Sequence, residues 1–251
     1  MNTAGKLAGK AVLVTGAGVR VGRSIALAAA AEGADVAVHY FRSAGPAEDT
    51  ARACREAAGG KGRAVTVKAD LADPAQVAAM VEAAAAGLGG LFGVVNSASV
   101  FYRTPLDEVS DAAWRENLDV NLLAPWWVIR AALPHLRREA SARVINIVDW
   151  AGEKPYTGYL PYVVSKAGLI CMTKALAKEL APFITVNAVA PGPMLPPEDL
   201  APEDRERVAA RIPLKRWGRP EDVAAAVLFF LAGSDFATGS ILHVDGGSVI
   251  A

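Results

Sequence analysis

The chain has 251 residues, in which 26 lysines and arginines balance 26 aspartates and glutamates. It has no net field to hold nucleic acid or an anionic membrane, so a small-molecule partner is expected. Two cysteines without paired or ligand spacing, Cys54 and Cys171, argue against a disulfide frame and suit a reducing cytoplasm; no uncharged run reaches the ~18 residues of a membrane span, and nothing at the start reads as a targeting segment.

The length suits a single domain over 1–251. β-branched runs at 11–15, 34–40, 63–69, 91–98, 142–148, 184–190 and 240–245 alternate with alanine-rich or amphipathic stretches. That alternation predicts an α/β fold, a doubly wound, Rossmann-like parallel sheet of about seven strands with helices on both faces. Ligands of such sheets bind outside the carboxyl ends of the strands, and each segment discussed below follows a predicted strand.

After the first run comes TGAGVRVGRSIALA, where Gly16, Gly18 and Gly22 lead through Arg20 and Val21 into a helix. Such a turn lets backbone approach a pyrophosphate, and the helix start offers free N–H groups with a partial positive charge. The second run ends HYFRS with no acid. A ribose 2′-hydroxyl is usually bound by an acid there, whereas Arg42 and Ser43, with Arg20 as a second cation, suit a 2′-phosphate, so NADPH is the expected cofactor. The competing reading leaves both arginines as solvated surface residues. His39 on this strand is grouped with the cofactor-lining positions.

The third run offers Asp70, an acceptor for an adenine amino group beside Leu71, or else a cap for the next helix, a task Asp73 before Pro74 could also do. The fourth ends NSAS: Asn96, Ser97 and Ala98 let a flat cofactor lie against backbone, although Asn96 could instead join neighbouring strands through its amide. Pro191 and Gly192 follow the sixth run and open PGPMLPPEDLAPED, whose prolines predict a substrate loop near 191–211.

The segment VDWAGEKPYTGYLPYVVSK holds the densest chemistry. Of five tyrosines only Tyr162 has a lysine four residues later, Lys166, which a helix would bring onto the same face. Trp150 and Trp217 lie near strand or loop ends and could line a pocket. The histidines 39, 135 and 243 show no metal spacing, so no metal and no histidine catalyst is expected.

TGAGVRVG, NSAS, NLDVNLL, YVVSK and APGP, in this order, resemble the short-chain dehydrogenase/reductase family over essentially the whole chain. The resemblance implies a seven-stranded nicotinamide-binding fold assembled as dimers or tetramers, with a homotetramer expected here. It also implies Tyr162 as proton donor, Lys166 as the cation that tunes the phenol, and Asn121 as the link from lysine to water. Two departures are informative: Arg20 replaces the usual second glycine of the turn, and Asp149 replaces the serine usually found thirteen residues before the tyrosine. With HYFRS and NSASVFYRTPL they are similar to pteridine reductases, which reduce pterins and sometimes folates with NADPH. That branch implies stacking of a pterin on Phe101, a contact from Ser99, and Arg20 on the phosphate.

Asp149 cannot donate a hydrogen bond to a ketone oxygen when ionised, so it suits a substrate rich in N–H groups, and its charge should oppose Lys166 and hold Tyr162 protonated. The sequence therefore predicts an NADPH-dependent reductase of pterins or dihydropterins, with dihydrofolate a further candidate, whose site is Asp149, Tyr162, Lys166 and Asn121. The alternative is a carbonyl reductase of the same family, for example on 3-oxoacyl thioesters. A third reading, a dinucleotide sensor without turnover, is opposed by the intact Tyr162, Lys166 and Asn121.

Overall fold

The structure, a computed structural model, describes residues 5–196 and 200–251. Seven parallel strands form one sheet in the order β3-β2-β1-β4-β5-β6-β7. They are β1 (Ala11–Val14), β2 (Asp35–Tyr40), β3 (Ala64–Lys68), β4 (Gly93–Asn96), β5 (Ala142–Ile147), β6 (Ile184–Pro191) and β7 (Ile241–Val244). The seven expected strands all form, and the strand order reverses between β1 and β4, the crevice where ligands of such sheets bind.

Among the described residues, eight α-helices lie between the strands: α1 (Arg20–Ala31), α2 (Ala44–Ala57), α3 (Pro74–Leu88), α4 (Asp111–Leu118), α5 (Ala124–Leu136), α6 (Leu160–Leu180), α7 (Pro202–Arg211) and α8 (Pro220–Leu228). Both sheet faces are buried, so side-chain alternation splits each strand between two cores. Val12 and Val14 pack with α1, α2 and α8, whereas Leu13 between them packs with α3, α5 and α6. Each such fully buried aliphatic side chain contributes about 1.5–3 kcal/mol, which makes this scaffold stiff enough to hold a site on its strand ends.

The predicted loop at 191–211 is only partly a loop. Residues 197–199 lie outside the described residues, but α7 occupies 202–211, with Pro202 in its first turn, where no amide is needed, and Glu203 and Asp204 facing the helix dipole. Met194 pairs with Gly218, so the segment returns against the chain before α8. Among the described residues no helix is long and apolar enough to cross a membrane, and no group of three or more metal-ligating side chains occurs.

Candidate active site

Following β1, Gly16 adopts a left-handed φ of 65° that favours glycine, and a Cβ on Gly22 would sit 2.2 Å from the Gly16 carbonyl oxygen. The turn therefore closes only around glycines. No side chain caps the start of α1, and its first turn carries no acid, so the helix end presents amides to an anion. These features fit a dinucleotide pyrophosphate. Arg20 also has a positive φ, 52°, at an expense of about 1–2 kcal/mol for a non-glycine.

The Arg20 guanidinium donates to the Leu195 carbonyl at 3.3 Å. Through that bond the side chain joins the glycine turn to the loop after β6, and it stays exposed beside the turn, where the sequence expected a second cation for a ribose phosphate. Arg42 and Ser43 remain at the end of β2, with the Ser43 hydroxyl 3.0 Å from where a Gly18 Cβ would be. Arg42 lies over the Phe41 ring, and Ser43 begins α2 without using its hydroxyl as a cap. Ser43 thus lies against the glycine turn, and Arg42 precedes it in the same loop.

His39 differs from expectation. Its ring is 2 % exposed, Nδ1 accepts the Gly16 amide at 3.0 Å, and Nε2 pairs with the Ala69 carbonyl at 3.2 Å. Both nitrogens are committed, so His39 braces the cofactor turn rather than lining it, and burial holds it neutral with a pKa lowered to about 4. Thr50 provides a second brace, donating to the Gly18 carbonyl at 3.2 Å.

Between the two readings of Asp70, the cap goes elsewhere: Asp73 accepts from the Ala75 and Gln76 amides, while Asp70 only closes a tight turn onto the Ala72 amide. Leu71 is buried in the core, so its side chain does not line a cleft. Asn96 is buried and donates to Asn146 at 2.9 Å, joining β4 to β5 as its alternative reading proposed. Thr15, which the sequence reading passed over, accepts from the amides of Ser97 and Ala98 at 2.9 and 3.1 Å and so fixes the NSAS backbone against the glycine turn. Pro191 ends β6, and the Gly192 amide donates to Val244. Val21 packs partly buried against the core beside α1.

At the other end of the cleft, the Tyr162 hydroxyl donates to Asp149 Oδ2 at 2.7 Å, while the Ala151 amide donates to Asp149 Oδ1 at 2.8 Å. A single 3-10 turn, 150–152, follows β5 and is capped by Asp149, which aims the carboxylate at α6. On α6, Lys166 is 2 % exposed; it lies 5.7 Å from the Tyr162 ring centroid and donates to the Ile147 carbonyl at 2.9 Å. Burial pushes the Tyr162 phenol well above its ordinary range, and Asp149 adds to this. Burial also raises Asp149, against the pull of the Ala151 amide, Tyr162 and Lys166, and lowers Lys166 to about 8. The expected competition between Asp149 and Lys166 for the phenol thus ends with Tyr162 protonated.

Asn121 sits in a π-helical turn, Asp119–Leu123, between α4 and α5. Such turns widen the helix and re-aim a side chain. Here Asn121 accepts from Val100 N and Ser99 Oγ at 2.9 and 3.0 Å and donates to the Val100 carbonyl at 3.0 Å. Its amide also approaches Asn117 and Ser165, and among the described residues no hydrogen bond links it directly to Lys166. The side chain therefore clamps the loop carrying Ser99 and Phe101.

Phe101 is 56 % exposed, stacks on Tyr159 with centroids 4.8 Å apart and planes 7° from parallel, and meets Tyr162 edge-on at 4.8 Å. One face is thus taken by Tyr159, so a planar ligand has only the other face or an exchange with that tyrosine. Tyr156 and Trp150 continue the aromatic wall at 5.3 and 5.6 Å. Trp150 thereby joins the site, whereas the Trp217 indole donates to the Arg205 carbonyl of α7. Tyr156 and Tyr159 were not singled out in the sequence, though their spacing before Tyr162 in PYTGYLPY carried the signal.

A glycine turn with uncapped amides at the switch point of a doubly wound sheet, with a Tyr–Lys pair beyond it, is the arrangement of a Rossmann-like oxidoreductase. Comparison with known proteins agrees. The family described as Enoyl-(Acyl carrier protein) reductase matches residues 16–248. The 3-oxoacyl-[acyl-carrier-protein] reductase FabG of Staphylococcus aureus is 37% identical over 243 residues, covering 95% of this chain and 97% of that protein. Its counterpart in Thermotoga maritima is 34% identical over 98% of this chain and all of its own length. Among solved structures, a blue fluorescent protein from a metagenomic library in complex with NADPH aligns with a TM-score of 0.88 at 35% identity, covering 97% of this chain and 99% of that one. The chain belongs to the short-chain dehydrogenase/reductase family. The two curated relatives are named for 3-oxoacyl reduction, which matches the alternative reading and leaves the pteridine reductase branch unsupported by them.

Proposed function

We propose that this chain is an NADPH-dependent reductase whose substrate presents a C=N bond in a planar nitrogen heterocycle of the pterin or dihydropterin class. NADPH supplies the hydride when bound, with its pyrophosphate on the Gly16–Gly22 turn, its 2′-phosphate at Arg42 and Ser43, and its adenine amino group at Asp70. The observation that carries the substrate reading is the 2.7 Å hydrogen bond from Tyr162 to Asp149. An ionised carboxylate offers a ketone oxygen no donor, but it accepts from ring N–H groups and keeps the phenol loaded with a proton. Lys166 steadies the phenolate left after that proton moves, and Asn121 holds the loop that presents Ser99 and Phe101. Proton resupply from water through Asn121 belongs to this reading.

A second reading is favoured by the relatives, both named 3-oxoacyl-[acyl-carrier-protein] reductases: reduction of 3-oxoacyl thioesters, with Tyr162 free to turn from Asp149 to the ketone. Oxidation of NADPH and of NADH, followed in absorbance against biopterin, dihydropterins, dihydrofolate and acetoacetyl thioesters, separates the two. Turnover of the thioester without any pterin turnover rejects the heterocycle reading, and an Asp149→Ser variant that gains ketone reduction supports it. Under either reading the enzyme is proposed to work in the cytoplasm as a homotetramer, which light scattering of the purified protein tests.

A further inference from the structure

Among the described residues, the cleft around Asp149 is short of donors free to hold a substrate. Asp149 only accepts when ionised, and both of its oxygens are engaged, one by the Ala151 amide and one by Tyr162. The Ser99 hydroxyl is committed to Asn121 and the Val100 carbonyl, and Lys166 is buried with Nζ on the Ile147 carbonyl. That leaves Tyr162, which gives its proton away. As hydride reaches carbon, negative charge develops on the adjoining oxygen or nitrogen, or on an acceptor conjugated with it, and a fixed donor there lowers the barrier.

Tyr156 carries a hydroxyl without such a commitment. Its ring lies 5.6 Å from that of Trp150, the residue after Asp149, and meets Tyr159 edge-on at 5.3 Å. It packs on the cluster of Ala151, Tyr162 and Val163, which sets it beside the Asp149–Tyr162 pair. Among the described residues its hydroxyl has no hydrogen-bond partner. The side chain is half-buried and its oxygen is not one of the sealed, orphaned polar atoms, so it opens into the cleft. Burial raises the phenol above its ordinary range, and the charges of Asp149 and then Tyr159 add to this, so the oxygen keeps its proton. Tyr159 also has a phenol, but Tyr156 is the one close enough to interact electrostatically with both Asp149 and Tyr162.

We infer that Tyr156 is a second hydrogen-bond donor to the substrate: its hydroxyl holds the acceptor on which charge develops, while Tyr162 leaves Asp149 and delivers the proton. In a ketone that acceptor is the oxygen itself; in a lactam-like ring it is the carbonyl conjugated with the C=N bond. No bond to Tyr156 is made or broken, and its proton stays with it. The inference holds for either substrate proposed above, since both call for such a donor and an ionised Asp149 supplies none.

Steady-state kinetics of the full chain test this, with NADPH and two probes, dihydrobiopterin and an acetoacetyl thioester. Tyr156→Phe keeps the ring and its contacts but removes the donor. It should lower kcat/KM for the probe that is turned over by about 10- to 100-fold, with the KM for NADPH unchanged. Asp149→Ser places a hydroxyl donor in the same corner and can still cap the turn. In that background Tyr156→Phe should lose about threefold or less, because the serine takes over. A Tyr156→Phe enzyme equal to wild type would mean that only the ring matters, and an equal loss in both backgrounds would mean that Tyr156 does not share an acceptor with residue 149; either result overturns the proposal. The two probes keep it apart from the substrate reading, since rejection of the pterin by wild type leaves the thioester to decide, and the reverse.

Discussion

Tyr162 and Asp149 share one hydrogen bond of 2.7 Å at the floor of the cleft, and Asp149 spends its other oxygen on the Ala151 amide. The pair and Lys166 form a coupled acid–base unit, so its titration should appear in the pH dependence of turnover. Lys166, lowered to about 8, loses its charge as pH rises through that value, and with it the support for the phenolate left after proton transfer. Turnover should therefore fall above about pH 8. On the acid side, protonating Asp149 at its raised pKa removes the acceptor for ring N–H groups and the charge that keeps the phenol loaded, so turnover should fall as pH falls through it. Asp149→Asn should flatten the acid limb and keep the alkaline fall. The profile of kcat at saturating NADPH checks both limbs; an acid limb that persists in Asp149→Asn refutes this assignment.

Lys166 also opposes stability. Its folded-state pKa lies below the ordinary 10.5, so the folded state resists holding the proton, and stability should rise as pH climbs from about 8 towards 10.5. Replacing the buried ammonium by an apolar chain of similar length should then stabilise the fold at neutral pH by about 1–3 kcal/mol, while turnover falls by about 100-fold or more. Denaturant melts of Lys166→Met measure the first effect. Loss of stability would mean that the bond to the Ile147 carbonyl outweighs the desolvation it relieves.

His39 runs with the opposite sign to an ordinary surface histidine. Its pKa falls from 6.5 to about 4 in the folded protein, so its contribution is complete above pH 6.5 and is lost as pH drops through about 4. The loss should reach about 3 kcal/mol, and because protonation frees Nδ1 from the Gly16 amide, NADPH affinity should decline over the same window. His39→Gln removes the titration and should flatten both curves between about pH 6.5 and about pH 4; equal slopes in the two proteins would dismiss His39 as the source.

The sheet was legible because each strand is a β-branched run bounded by turn residues, and both faces are covered, so the apolar pattern has nothing to compete with. Tyr162 and Lys166 were legible by spacing, since α6 brings residues four apart onto one face, whereas Asp149 was reached through the resemblance, and the turn after β5 aims it at Tyr162. Arg20 and His39 were harder. Their partners, Leu195 and Gly16, lie 175 and 23 residues away on other loops, and nothing local distinguishes a side chain that touches a ligand from one that holds the turn beneath it. The π-helical turn at Asn121 was hidden because it spans only Asp119–Leu123, too short a stretch to show a period of its own between two helices.

Tyr102 offers a way to test whether the loop carrying Ser99 and Phe101 must be held rigid. Its hydroxyl donates to Glu116 at 2.8 Å and receives the Asn117 amide at 3.3 Å, while its own carbonyl accepts from Thr104. Together with the Asn121 clamp on Val100, these bonds fix both flanks of Phe101, the exposed ring at the apex. Tyr102→Phe removes one flank only, and a partly exposed hydrogen bond of this kind is worth about 0.5–1.5 kcal/mol. The expected result is a two- to tenfold rise, roughly, in KM for the heterocycle, with kcat and the KM for NADPH unchanged. Phe101→Ala should raise the same KM by about tenfold through lost stacking. If Tyr102 acts through the placement of Phe101, the double variant should be no worse than Phe101→Ala alone, whereas independent roles would make the two effects multiply.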